Sequence, residues 1–76
     1  MSRLHSLKRG QKARIRAFHG DSTTEEALRE IGFAEGDEVE LLERGLVNGS
    51  PLSIRLDRTI LALRKSEAAC IEIEAD

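Results

Sequence analysis

The sequence predicts a mainly β fold, a small, partly open five-stranded barrel with one short helix between the first and second strands. Three observations predict it. Five short segments alternate apolar and polar residues with the period of a half-buried strand, and turn residues separate them. Only one early segment, residues 22–31, spaces its apolar residues for a helix. The apolar residues are almost all aliphatic, since Phe18 and Phe33 are the only aromatics, and this suits one thin core. A chain of 76 residues makes a single domain, residues 1–76. A domain this size buries only a little over ~60% of the surface its unfolded chain exposes, which leaves no room for an enclosed active-site cavity.

The first strand is "KARIRAF", residues 12–18, with Lys12, Arg14 and Arg16 on one side and Ala13, Ile15 and Ala17 on the other. "HGDS" follows as a turn. The helix is expected to start at Ser22 or Thr23, because Thr23 and Glu26 have the spacing of a capping box and Glu25 and Glu26 suit the positive end of the helix dipole. Thr24, Ala27, Leu28 and Ile31 then share one face. Gly32 is placed to end the helix in a left-handed conformation, with Phe33 folding back on Leu28. Gly36 in "AEGD" makes a separate tight turn into the second strand, "DEVELLER".

In "GLVNGSP" the pair Asn48-Gly49 is of the kind hairpin turns prefer, but Pro51 and its neighbours point to a longer loop. "LSIRL" directs Leu52, Ile54 and Leu56 inward, and Asp57-Arg58 connects it tightly to "TILALR". "KSEAA" has the length of one helical turn, and "CIEIE" closes the barrel with Ile71 and Ile73 inward. By the same parity Cys70 and Glu72 face away from the core.

The net charge of −2 conceals a split, since Arg3, Lys8, Arg9, Lys12, Arg14 and Arg16 all precede the first acid, Asp21, while the middle of the chain is acidic. No aromatic residues interleave with the basic ones to stack on bases, so no nucleic-acid partner is expected and the opposite charges meet across neighbouring strands. No apolar run approaches the ~20 residues of a membrane helix, and "MSRLHSLKRG" lacks the apolar centre of a signal peptide. A single cysteine forms no internal disulfide and fits a reducing compartment, so the expected location is cytoplasmic, with no membrane insertion.

Chemistry is sparsely represented. His19, Asp21 and Ser22 contain the residue types of a hydrolytic triad but lie almost adjacent in one turn, where their side chains splay apart, so no catalytic residue is expected. His5 and His19 are the weak candidates for metal ligands, yet a strand separates them and Cys70 is far along the chain. Leu46 and Val47 sit beside the expected hairpin tip, where the turn itself needs no apolar residue. They either extend the strand into the core or stand out as anchors for a partner.

The order "LHSLKRGQKARI", "ALREIGFAEGDEVELL", "PLSIRL" and "ILALRKSEAACIEIE" resembles the FeoA family of small cytosolic proteins linked to bacterial ferrous iron uptake. The likeness runs from about Leu4 to Glu74. Its most specific parts are Leu28 through Gly36 and Ala62 through Ile73. Two positions depart from it: Asp57-Arg58 replaces a glycine turn, and Cys70 stands where a small residue is usual.

The resemblance implies an SH3-like barrel without enzymatic activity, acting with FeoB, a ferrous iron transporter of the membrane that carries a cytosolic GTPase domain. The expected partner-binding residues are then Leu46 and Val47 as apolar anchors and Arg14 and Arg16 as steering charges. No cofactor is expected. The alternative is a sensor or chaperone that binds ferrous iron itself, related to the C-terminal domain of metal-dependent repressors.

Overall fold

A computed structural model describes residues 2–75. Six antiparallel strands form one sheet in the order β1-β6-β2-β3-β4-β5, where β1 is Ser2–Arg3, β2 Lys12–Phe18, β3 Glu38–Gly45, β4 Gly49–Leu56, β5 Thr59–Leu63 and β6 Ile71–Ala75. The five expected strands are β2 to β6, and the sixth is the two-residue β1. Among the described residues there are two helices, α1 (Ser22–Ile31) between β2 and β3 and α2 (Lys65–Ala68) before β6, with a 3-10 turn at Leu4–Ser6. The sheet curls without joining β5 to β1, giving the small, partly open SH3-like barrel expected from the sequence.

The core is aliphatic apart from Phe33: Ala13, Ile15, Val39, Leu41, Leu52, Ile54, Leu63, Ile71 and Ile73 point inward from the strands, joined by Leu28 of α1 and Ala68 of α2. Leu4 and Leu7 seal one end. They lie in a segment without alternation, and Arg44 holds it in place by donating from Nη2 to the carbonyls of His5 and Leu7.

Strand β2 departs from strict alternation. Its pairing with β6 runs Ile15 to Ile73 and then Ala17 to Glu72, so one extra residue, Arg16, is bulged out. Ala17, expected inward with Ala13 and Ile15, is only half-buried as a result.

Helix α1 starts at Ser22 as expected, but its cap is Asp21 and not the Thr23–Glu26 box. The Asp21 carboxylate accepts from Thr24 N at 2.8 Å, and this bond holds the carboxyl below its ordinary pKa. A carboxylate reaches the third helical amide and meets the positive end of the dipole, so it outcompetes a hydroxyl two residues later. Of the expected apolar face only Leu28 is buried, and Ile31 is 45% exposed. Gly32, at φ 127, ends the helix as predicted, with Gly32 N and Phe33 N both donating to the Leu28 carbonyl.

The β3–β4 connection is tighter than the sequence suggested. Asn48 and Gly49 take φ 55 and 78, and Ser50 N donates to Val47 O at 2.9 Å, which makes a two-residue hairpin turn. Pro51 does not interrupt it, because Ser50 and Pro51 are taken up where the β3–β4 register shifts, between the Arg44–Leu52 and Gly45–Gly49 pairs. The cost of that arrangement falls on Gly45. A Cβ there would overlap the Ser50 carbonyl, so no other residue fits without moving the hairpin.

Candidate functional site

Hairpin β3–β4 carries the most exposed apolar residues of the fold. Leu46 is 102% exposed and Val47 74%, so both stand clear of the core. The turn residues Asn48-Gly49 need left-handed conformations and fix the tip, while Gly45 and the Ser50-Pro51 bulge fix its base. From Gly45 to Leu52 no residue is charged. The nearest cation in sequence, Arg44, passes beside Gly49 and donates to the carbonyls of His5 and Leu7. The hairpin therefore presents two exposed aliphatic side chains on a turn whose own residues carry no charge.

Arg14 and Arg16 are both exposed on β2, but the Arg16 bulge gives them different neighbours. Arg14 donates from Nη1 to the Gly36 carbonyl at 3.0 Å. Arg16 Nη1 lies 3.3 Å from Glu74 Oε1, and its Nε lies 4.0 Å from Glu72 Oε2. Part of the Arg16 charge is thus already balanced within the fold, whereas Arg14 meets a main-chain carbonyl. Neither is close in sequence to Leu46 or Val47.

A polar cluster that the sequence did not suggest lies where β2 meets β6. Glu72 is 7% exposed, although strand parity placed it in solvent. His19 Nε2 sits 2.6 Å from Glu72 Oε1, and the His19 main-chain N donates to Cys70 O at 2.7 Å. The hydrogen bond with His19, aided by the charges of Arg16 and Arg3, holds the Glu72 carboxyl below its ordinary value against the opposing effect of burial. Cys70 is half-buried at this corner and is placed to donate weakly from Sγ to Ser66 O at 3.5 Å.

The lowered Glu72 pKa fixes a pH dependence. The unfolded chain, with Glu72 near 4.5, binds the proton more readily than the folded chain. The stabilisation is therefore present above that value and disappears as pH falls through the lower folded value. Glu72→Gln should be less stable than wild type in urea at pH 7, and the gap should close on acidification to pH 4 and below. A gap of equal size at both pH values would contradict the assignment.

His5 and His19, the sequence candidates for metal, lie apart in the chain, in the 3-10 turn and just past the end of β2. His5 Nδ1 is buried without a hydrogen-bond partner, and His19 is engaged by Glu72. Among the described residues no three His, Cys, Asp or Glu side chains gather in a way that would hold a metal ion. The His19–Glu72 pair offers two donors where a transition metal takes three or four from protein, so these residues do not fit a resident metal. No helix among the described residues is long and apolar enough to cross a membrane.

A groove of about 760 Å³ opens between the end of α1 and strands β3, β4 and β5. Ile31, Val39, Leu56 and Leu61 supply its apolar surface, and on its charged margin Asp37, Glu38, Glu40 and Asp57 outnumber Lys12 and Arg55.

Comparison with known proteins gives a consistent picture. The family model of the FeoA domain matches residues 2–75. The iron(II) transport protein A of Clostridium thermocellum is 31% identical and superposes with a TM-score of 0.89 over 97% of this chain, which spans 45% of the length of that chain. The FeoA protein of Stenotrophomonas maltophilia, solved in complex with zinc and described as a procaryotic SH3 domain protein, is also 31% identical, with a TM-score of 0.83 over 97% of this chain and 91% of its own. A manganese-dependent transcriptional repressor shares the fold at a TM-score of 0.88, with 16% identity over 99% of this chain and 41% of its own. No curated protein sequence matches the chain.

Proposed function

The chain belongs to the FeoA domain family, and from that premise we propose that it is a cytoplasmic adaptor that docks on the cytosolic portion of a FeoB-type ferrous iron transporter. The family is an accessory of ferrous iron transport. The observation that carries the docking mechanism is the hairpin tip: Leu46 and Val47 are exposed on a mount that needs neither of them for its own packing. Residues of that kind supply binding energy when a partner removes them from water, about 25 cal/mol per Å² of apolar surface. Arg14 and Arg16 act earlier, as exposed charges that steer the encounter. Docking modulates the assembly or nucleotide-linked activity of the transporter, and the chain itself supplies no catalytic group.

The test is a calorimetric titration of the chain into the isolated cytosolic portion of its cognate transporter, with and without guanine nucleotide. Saturable binding in at least one nucleotide state is the expected result. A flat titration in every state, repeated with the intact transporter in detergent, would overturn the adaptor reading.

A further inference from the structure

Strand β5 ends the sheet. Its five residues pair with β4 in unbroken register, Leu56 to Thr59 through Leu52 to Leu63, and with nothing on the other side among the described residues. Such an edge presents a row of unpaired backbone donors and acceptors, and proteins normally guard it with a charge, a proline or a bulge. "TILAL" contains no charge and no proline, and its pairing contains no bulge. Ile60 on its outer face is 62% exposed. On its other face Thr59 and Leu61 line the groove that Ile31 and Leu56 also line. A strand added to this edge would place alternate side chains into that groove and against Ile60, the pattern by which sheets take up extended peptides.

The charges at the two ends of the edge select the occupant. Arg58 precedes β5 and Arg64 and Lys65 follow it, all exposed. No ion pair among the described residues includes any of the three. Pairing β5 with a second copy of itself would run antiparallel and bring the Arg58 end of one chain toward the Arg64 and Lys65 end of the other, an opposition of like charges that Asp57, and Glu67 beside the Arg64 main-chain N at 2.8 Å, only partly offset. A partner strand with acidic ends meets the opposite situation at Arg58, Arg64 and Lys65, and its uncharged middle adds no carboxylate to the acids on the margin of the groove.

We propose that the free edge of β5 is a strand-addition site for an extended segment of another protein, with apolar residues in alternation and carboxylates at its ends. The inference stands on β5 alone and does not depend on the transport reading.

The test uses isotope-labelled full-length chain and two synthetic peptides. In each, valines alternate with threonines, and paired glutamates at both ends of one are replaced by lysines in the other. The glutamate peptide should shift the resonances of β5 and protect from exchange those β5 amides that point away from β4. Ile60→Glu should abolish this, and Arg64→Glu combined with Lys65→Glu should weaken it about tenfold, with the rest of the spectrum unchanged in both variants. The site is refuted if neither peptide perturbs β5, or if both bind equally. Protection of the β5 amides that rises with protein concentration alone would assign the edge to a second copy and overturn the proposed occupant.

Discussion

Phe33→Ala is expected to remove a large share of the stability of the fold. A domain of 76 residues has a total stability of roughly 4–11 kcal/mol at about 0.05–0.15 kcal/mol per residue. Removing a fully buried phenylalanine costs about 3–5 kcal/mol. Phe33 is 1% exposed, the only aromatic side chain with no contact to solvent in a core otherwise built from Ile, Leu, Val and Ala. It also fixes α1. The helix sends only Leu28 fully into the core, and Phe33 packs there directly after the Gly32 cap, donating its N–H to the Leu28 carbonyl at 3.2 Å. No neighbouring aromatic can fill the gap, because Phe18 lies partly exposed beneath the Arg29 guanidinium, 4.6 Å from its ring centroid. Urea unfolding followed by far-UV circular dichroism should show the midpoint falling by about a quarter or more. A loss below about 1 kcal/mol would mean that the core closes over the gap.

Leu46→Asp is expected to have the opposite profile, with an intact fold and loss of docking. Leu46 is 102% exposed, so its replacement should change stability by no more than about 0.5 kcal/mol. At an interface the same change removes an apolar anchor and puts a carboxylate into its pocket. Central anchors of this kind are worth about 2 kcal/mol or more, and the buried charge adds to the loss, so affinity should fall about a hundredfold. Val47→Asp should act in the same direction with a smaller effect, since Val47 is less exposed and offers less surface.

Much of the fold was legible because local rules and tertiary packing agree. The alternation of Ala13 and Ile15, of Val39 and Leu41, of Leu52 and Ile54, and of Ile71 and Ile73 gives the inner face of the sheet directly. The Gly32 stop with Phe33 folded back on Leu28 was legible for the same reason, since only a left-handed residue followed by an apolar one makes that cap.

What the sequence hid depends on contacts distant along the chain. Leu4 and Leu7 show no periodicity, and they are buried because Arg44, 37 residues beyond Leu7, binds the carbonyls of His5 and Leu7. The His19–Glu72 pair escaped because the bulge at Arg16 shifts the β2–β6 register by one residue. A bulge of this kind has no signature in "KARIRAF", so parity placed Glu72 in solvent. The hairpin tip was half legible: Asn48-Gly49 announced the turn, but Pro51 obscured its tightness, and with it whether Leu46 and Val47 point inward or outward.

The free edge of β5 was hidden for a related reason. "TILAL" reads as a strand, but which strands end the sheet is a property of topology, and five alternating segments do not fix their order.

The central claim is that the chain acts by docking through the β3–β4 hairpin tip. Its most direct test compares wild type and Leu46→Asp in calorimetric titrations against the cytosolic portion of the transporter, after an amide correlation spectrum has verified that the variant is folded. The account predicts saturable binding for wild type and a dissociation constant about a hundredfold higher for the variant. Equal affinity of the two would contradict it and move the docking surface away from the hairpin.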